Sequence, residues 1–276
     1  MYIVNKKKLF LMTLAVFLGV MLTACSGEKP EQKTETSQPQ TKEEEKKSDE
    51  AHWSYNGQTG PENWAELSSE FKKCERGKEQ SPVDIKTSKL EKKPKKVQFE
   101  YESTSFEIVN NGHAIQANAK GQKNNAFRLD RKEYQLGQSH FHAPSEHTVN
   151  GEHYDMEMHL VHKSKEGKLA VVTFFVEEGK ENKTLKGMWS NLPKQKGETS
   201  KLTKKINPAH FISENQQAYI YNGSLTTPPC SEGVKWLIFK KPLQMSKEQI
   251  NRFKEIHSHT NRPTQELNER EVSIVE

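Results

Sequence analysis

The sequence predicts a mainly β fold: a single domain around a large, mostly antiparallel twisted central sheet, with a few short peripheral helices. Three observations predict it. From residue 97 onward, short β-prone runs are broken repeatedly by turn-forming residues. Residues 169–176, Leu-Ala-Val-Val-Thr-Phe-Phe-Val, form one continuous apolar run, the pattern of a central strand buried on both faces. Helical spacing is confined to short stretches, 65–74, 185–192 and 246–257, the last opened by Ser246 as an N-cap. No internal repeat is visible.

Taken in order, the chain opens with a leader. Lys6, Lys7 and Lys8 precede an apolar run at 9–22, too short to span a membrane, which needs about 20 residues. The run ends in Leu22-Thr23-Ala24-Cys25, which resembles the bacterial lipobox. That resemblance implies a lipoprotein signal peptide at 1–24, cleaved before Cys25, and lipidation of the Cys25 thiol. The expected location is outside the cell. The protein would be anchored to the outer face of the cytoplasmic membrane, or be periplasmic if an outer membrane exists. The alternative is an ordinary secretory signal or an uncleaved anchor. Residues 26–50 contain no aliphatic and no aromatic side chain, so 25–50 reads as a lipid-anchored disordered linker. The folded domain is expected at 51–276, long enough for one well-cored unit.

Net charge is +5, but both signs are abundant and no basic cluster is interleaved with aromatics. The surface reads as lysine-rich and solvated, with no nucleic-acid partner. The mean hydropathy of −0.95 reflects that surface and the polar segment 26–50. With Cys25 assigned to lipid, Cys74 and Cys230 remain as a pair in a compartment that permits disulfides. A bridge is expected; two buried free thiols are the alternative.

Aromatics between glycines, from His52 to Trp64, read as an irregular arm packed on the body. Strands are expected at 97–101, 106–110, 113–117, 126–129, 132–137, 139–141, 154–162, 169–176, 218–223 and 232–239. The chemistry concentrates at residues 138–162, which hold six of the eleven histidines. On a strand, residues i and i+2 share a face, so His140 and His142 project side by side. The turn signal Asn150-Gly151 lets 154–162 fold back alongside, bringing in His159. Three neutral imidazoles on a rigid sheet, with no thiolate near in sequence, suit a Zn2+ site that keeps a fourth position open. Gln138 and Glu157 share strand faces with these histidines and offer acceptors for their outer N–H groups.

Several motifs together resemble the alpha-class carbonic anhydrases, in a secreted bacterial lipoprotein form. They are Trp53-Ser54-Tyr55, Gln80-Ser81-Pro82-Val83-Asp84-Ile85, Asn110-Asn111-Gly112-His113, the 138–162 stretch, Leu225-Thr226-Thr227-Pro228-Pro229-Cys230 and Asn261-Arg262-Pro263. The resemblance covers 51–270. It implies zinc-dependent reversible hydration of carbon dioxide to bicarbonate and a proton, by zinc-bound hydroxide: a lyase, with small anions and sulfonamides as inhibitors. It implies His140, His142 and His159 as zinc ligands, with Thr226 accepting from the hydroxide and donating to Glu146. Thr227 lies near bicarbonate. Val161, Val171, Leu225 and Trp236 form the apolar wall for carbon dioxide. His113 matches the proton shuttle, and Tyr55, Asn111 and Gln116 order the intervening waters. Gln116 stands where asparagine is frequent, and Ala143 where many animal members carry tryptophan.

The remaining histidines have plain readings. His147 supports the fold, His162 belongs to the core, and His153, His210, His257 and His259 lie at the surface. Two other functions compete with this reading: a catalytically inactive surface binding module, and a zinc-scavenging lipoprotein. The complete ligand set argues against the first. The absence of histidine from 26–50 argues against the second.

Overall fold

The computed structural model describes residues 51–121, 125–212 and 217–275. The expected leader at 1–24, the expected lipidation of Cys25 and the expected linker at 25–50 lie outside the described residues. Ten strands form the main path of one sheet: β1 Glu91–Lys92, β2 Ser105–Asn110, β3 Ile115–Lys120, β4 Lys132–His142, β5 Met156–Lys163, β6 Leu169–Glu178, β7 Thr199–Lys201, β8 Ala218–Ser224, β9 Glu232–Met245 and β10 Ser273–Val275. Their spatial order is β7-β2-β3-β4-β5-β6-β9-β8-β10-β1. Val97–Glu100 and Ala126–Leu129 add a short antiparallel pair beside β4.

The sheet is mainly β and mixed. Most neighbours are antiparallel, but β6 and β9 pair in parallel at its centre, as do β10 and β1 at one edge. β6 is the continuous apolar run. Its Ala170, Val172, Phe174 and Val176 join the larger hydrophobic cluster, while Val171 and Phe175 join the other. Burying both faces removes any reason for polar alternation, which is why the run reads as unbroken.

Several local expectations change. The runs at 132–137 and 139–141 are one strand. β4 pairs β5 through Val161↔Gln138 and then His162↔Leu136, so Gly137 is an extra residue at a bulge. Asn150 and Gly151 have φ of 53° and 90° and do form a turn. They close only a small hairpin, Thr148–Val149 with Glu152–His153, set against Asp84–Ile85 in a separate three-stranded sheet. The β4-to-β5 connection passes through that hairpin. The helix expected at 65–74 is two one-turn helices, Trp64–Leu67 and Lys73–Arg76, around a 3-10 turn. The helix at 185–192 shortens to Lys186–Trp189. The third runs Lys247–Lys254, with Ser246 and Gln249 forming a reciprocal capping box.

Cys74 and Cys230 form a disulfide, with Cα atoms 5.0 Å apart. It packs with Trp64 against Trp53 and Tyr55, joining the N-terminal arm to the turn after Thr226 and Thr227. Buried Arg262 reinforces this junction. Its guanidinium donates to Gln80 Oε1, to the Ser81 carbonyl and to the Cys74 carbonyl.

Candidate metal centre and active site

Register builds the site. Gln116 of β3 pairs His140 of β4, which pairs His159 of β5, which pairs Thr173 of β6. One row further along, Asn118, Gln138, Val161, Val171 and Trp236 follow across the same strands and β9. Directly paired residues share a face, so one surface of the sheet carries histidines in one row and an apolar wall in the next. Val171 and Trp236 are buried there, with Val161 and Leu225 packed against their cluster.

The coordinating atoms of His140, His142 and His159 lie within 4.8 Å of one another. Each ring has its other nitrogen bonded outward. His140 Nδ1 lies 2.9 Å from Gln138 Oε1, His142 Nδ1 2.5 Å from the Thr260 carbonyl, and His159 Nε2 2.6 Å from Glu157 Oε1. These partners accept, so the proton of each neutral ring sits on its outer nitrogen. The inner nitrogens, His140 Nε2, His142 Nε2 and His159 Nδ1, then present lone pairs. Two of them face each other at 3.1 Å. Lone pairs so close repel unless a cation lies between them. Burial, followed by the neighbouring imidazoles, holds His140 well below its ordinary pKa. Burial likewise lowers His159, against the opposing pull of Glu157. Neutral rings are the form a metal requires.

Three buried side-chain atoms among the described residues lack a hydrogen-bond partner: His142 Nε2, Glu146 Oε2 and Thr173 Oγ1. The first two face each other at 3.5 Å. The orphaned histidine nitrogen fits a metal ligand. Zinc, which accepts imidazole nitrogen and tetrahedral geometry, suits three such donors with an open fourth position. A second grouping, His147, Glu157 and His159, has similar proximity. There the carboxylate already accepts from both rings, at 2.7 and 2.6 Å, and from the His147 N–H. Burial raises the Glu157 pKa, but the His147 and His159 contacts outweigh it and hold the carboxyl far below the carboxylate range.

The Thr226-to-Glu146 bond implied by the resemblance is not formed. Glu146 Oε1 accepts from the Arg262 N–H at 3.1 Å, and Oε2 points toward His142. Thr226 is buried, while Thr227 begins a tight turn closed by the Cys230 N–H to the Thr227 carbonyl.

His113 sits on a turn made by Asn111, whose Oδ1 accepts from the His113 and Ala114 N–H groups. Gly112 between them has φ 89°, a region that suits glycine. The His113 ring stacks on Trp53 at 3.8 Å. Partial burial, then the charges of Lys196, His52 and His257, hold its pKa below the ordinary 6.5. Asn111 Nδ2 donates to Gln116 Oε1, and Gln116 Nε2 donates to Asn118 Oδ1. Tyr55, His113, His257 and Thr260 line one cleft. His257, expected at the surface, is therefore part of the cleft wall, its Nε2 donating to Asn110 Oδ1.

Thr260 and Tyr221 carry no signal in the sequence, and Ser81 appears there only as part of a motif without a role. Thr260 acts through a carbonyl, which every residue has. Tyr221 Oη lies 2.6 Å from His147 Nε2 and 2.8 Å from Ser81 Oγ, extending the Glu157 chain into the core. His147 and His162 do support the fold, as expected. His162 is buried between Tyr101 Oη and the Leu160 carbonyl.

Comparison with known proteins identifies a family and its relatives. Residues 59–276 match the model of the eukaryotic-type carbonic anhydrase family. A carbonic anhydrase of Klebsiella pneumoniae is 42% identical over 224 residues, covering 80% of this chain and 90% of that protein. One from a Nostoc species is 38% identical over 227 residues, covering 80% of this chain and 85% of that protein. The alpha-carbonic anhydrase of Thermovibrio ammonificans, solved with the inhibitor sulfanilamide, superposes with TM-score 0.78 at 45% identity, covering 81% of this chain and 99% of that one.

Proposed function

The chain belongs to the eukaryotic-type, or alpha, carbonic anhydrase family, and on that footing we propose how its own residues serve the reaction. It is a carbonic anhydrase, interconverting carbon dioxide and water with bicarbonate and a proton. The observation that carries the proposal is the convergence of three inner imidazole nitrogens whose outer nitrogens are all engaged.

His140 Nε2, His142 Nε2 and His159 Nδ1 would hold Zn2+. Bound there, zinc would act as a Lewis acid that makes hydroxide available near neutral pH, a chemistry for which carbonic anhydrases are the standard example. Gln138, the Thr260 carbonyl and Glu157 fix ring orientation and tautomer. Val161, Val171, Leu225 and Trp236 offer carbon dioxide an apolar seat from which water is excluded. Thr226 and Glu146 set polarity at the opposite side. A Thr226 hydroxyl turned to donate to the Glu146 carboxylate would present only a lone pair to the site. Thr227 faces the bicarbonate.

Turnover releases a proton that must reach buffer. His113 takes it: its pKa, below 6.5, leaves the ring neutral and able to accept at neutral pH. Tyr55, Asn111 and Gln116 order the path. Sulfonamides and small anions would compete at the open metal position. We further propose export and attachment of the chain through a lipid on Cys25, with 25–50 as tether and 51–276 as the enzyme domain.

The test is metal analysis paired with stopped-flow hydration. One zinc per chain and sulfonamide-sensitive hydration are expected. Full hydration after stripping zinc, or stoichiometric zinc without hydration, would overturn the assignment.

A further inference from the structure

We propose that the lysine-rich sheet edge at Lys92, Lys93, Lys95 and Lys96 lays the folded domain onto an anionic phospholipid surface. The enzyme would then lie with a defined face to the bilayer. The proposal rests on membrane attachment through Cys25 only for bringing the domain to that surface.

The charge is concentrated. Residues 84–96 hold six lysines against Asp84 and Glu91, a net +4, while the whole chain carries +5. The fold keeps this charge together. β1 is the outermost strand of the sheet path, and the chain leaving it forms a groove walled by Lys92, Lys93, Lys95 and Lys96, with Pro94 and Ile274 as its apolar surface. Like charge converges from other elements. Half-buried Lys235 of β9 is held below its ordinary pKa by desolvation and next by the charge of Lys95, against the opposing pull of Asp130 and Glu79, with Lys132 adding a smaller push.

Acidic groups facing the patch do not cancel it. Lys93 pairs with Glu271 at 2.9 Å and Lys95 with Asp130 at 3.1 Å, and Glu91 lies near Lys93. Both pairs reach solvent, where such pairs are weak, so they yield to a denser array of negative charge. An anionic bilayer is such an array. Its pull on a lysine fades within a Debye length, about 8 Å at physiological salt. Lysines clustered on one sheet edge can enter that layer together, whereas charges scattered over the domain cannot.

Chain length permits the approach. Residues 26–50 number 25, a length of chain that can reach at most about 90 Å. A domain of this size has a radius of gyration of about 17 Å, so a chain of that length lets any face meet the membrane. The tether holds five lysines and eight acidic residues, a net −3. An anionic surface repels it while attracting the patch.

The test uses the full-length protein reconstituted on vesicles of neutral phosphatidylcholine, or of the same lipid with about 30% phosphatidylglycerol. Lysine acetylation is read residue by residue by mass spectrometry. On anionic vesicles, labelling of Lys92, Lys93, Lys95 and Lys96 should fall about fivefold and recover in about 0.5 M salt. Exposed Lys180 and Lys183 should not change. In the unmutated chain anionic vesicles should also protect Lys132 and Lys235; the K92E/K93E/K95E/K96E variant should remain attached and active but lose that protection. Equal labelling on both vesicles, or protection indifferent to salt, overturns the proposal. So does protection that requires a soluble polyanion. Flotation with neutral vesicles reads attachment separately: a protein that fails it lacks the lipid anchor. The patch is then judged by salt-sensitive flotation with anionic vesicles.

Discussion

His159 and His162 stand three residues apart on β5, both almost without exposure, and the strand sends them to opposite faces. Both rings are neutral, because burial opposes the charged form. The difference lies in their second nitrogens. His162 donates from Nδ1 to the Leu160 carbonyl and accepts at Nε2 from Tyr101 Oη, 2.8 Å each. Its capacity is filled, and aromatic rings of Tyr101 and Phe127 close around it. His159 donates outward to Glu157, and its Nδ1 meets only the lone pair of His140 Nε2. A buried imidazole with both nitrogens satisfied serves the core. One with a lone pair aimed at other lone pairs is built for a cation.

The largest effect should come from exchanging the two fates by mutation. His159→Ala is expected to lose bound zinc and at least about a thousandfold of hydration activity. His162→Gln should keep one zinc per chain and near-normal activity, since glutamine can still accept from Tyr101. Metal analysis and stopped-flow hydration on both variants decide. Zinc loss in His162→Gln would break the distinction drawn between the two faces.

A smaller effect should follow from disturbing only the support. Glu157→Gln keeps an acceptor for His159 but removes the charge shared with His147. Zinc affinity should fall about 10- to 100-fold, typical for carboxylates that orient metal ligands. Activity at saturating zinc should change far less. Competition with a chromophoric chelator measures the affinity. An unchanged constant would mean that the carboxylate is fold support alone, on a par with the Leu160 carbonyl for His162.

Much of this contrast was legible in the sequence. The i, i+2 spacing of His140 and His142 placed both on one face, and Gln138 followed by the same rule. Leu169 to Val176 announced the central strand. What escaped depends on partners. The bulge at Gly137 exists only relative to β5, since one strand alone has no register to slip. The parallel β6–β9 pairing joins segments more than fifty residues apart, beyond the reach of any local pattern. Asn150-Gly151 signalled a turn correctly but could not show which strands it joins. The Thr260 carbonyl that holds His142 is backbone, invisible to residue type. His257 reads as a surface residue because its cleft is assembled from distant segments.

The smallest effect concerns stability, and it sharpens what a satisfied buried histidine costs. Burial lowers the His162 pKa from 6.5 to about 3, against the opposing hydrogen bonds of Leu160 and Ala170. Between those values the unfolded chain binds a proton at this position and the native chain does not. Stability therefore falls as pH drops below about 6.5, by about 1.4 kcal/mol per pH unit for this group, and levels off below about 3. Carboxylates contribute little between pH 6.5 and 5, because their unfolded pKa values lie lower. Urea unfolding of zinc-loaded protein at pH 7 and pH 5 should show His162→Gln losing about 2 kcal/mol less than the unmutated chain. Substitution removes the unfolded-state proton, so the variant's slope must be shallower even if its stability at pH 7 is reduced. Parallel slopes would show that His162 takes up its proton in the native state. Tyr101 and Leu160 would then not hold it neutral, and the line drawn between it and His159 would rest on position alone.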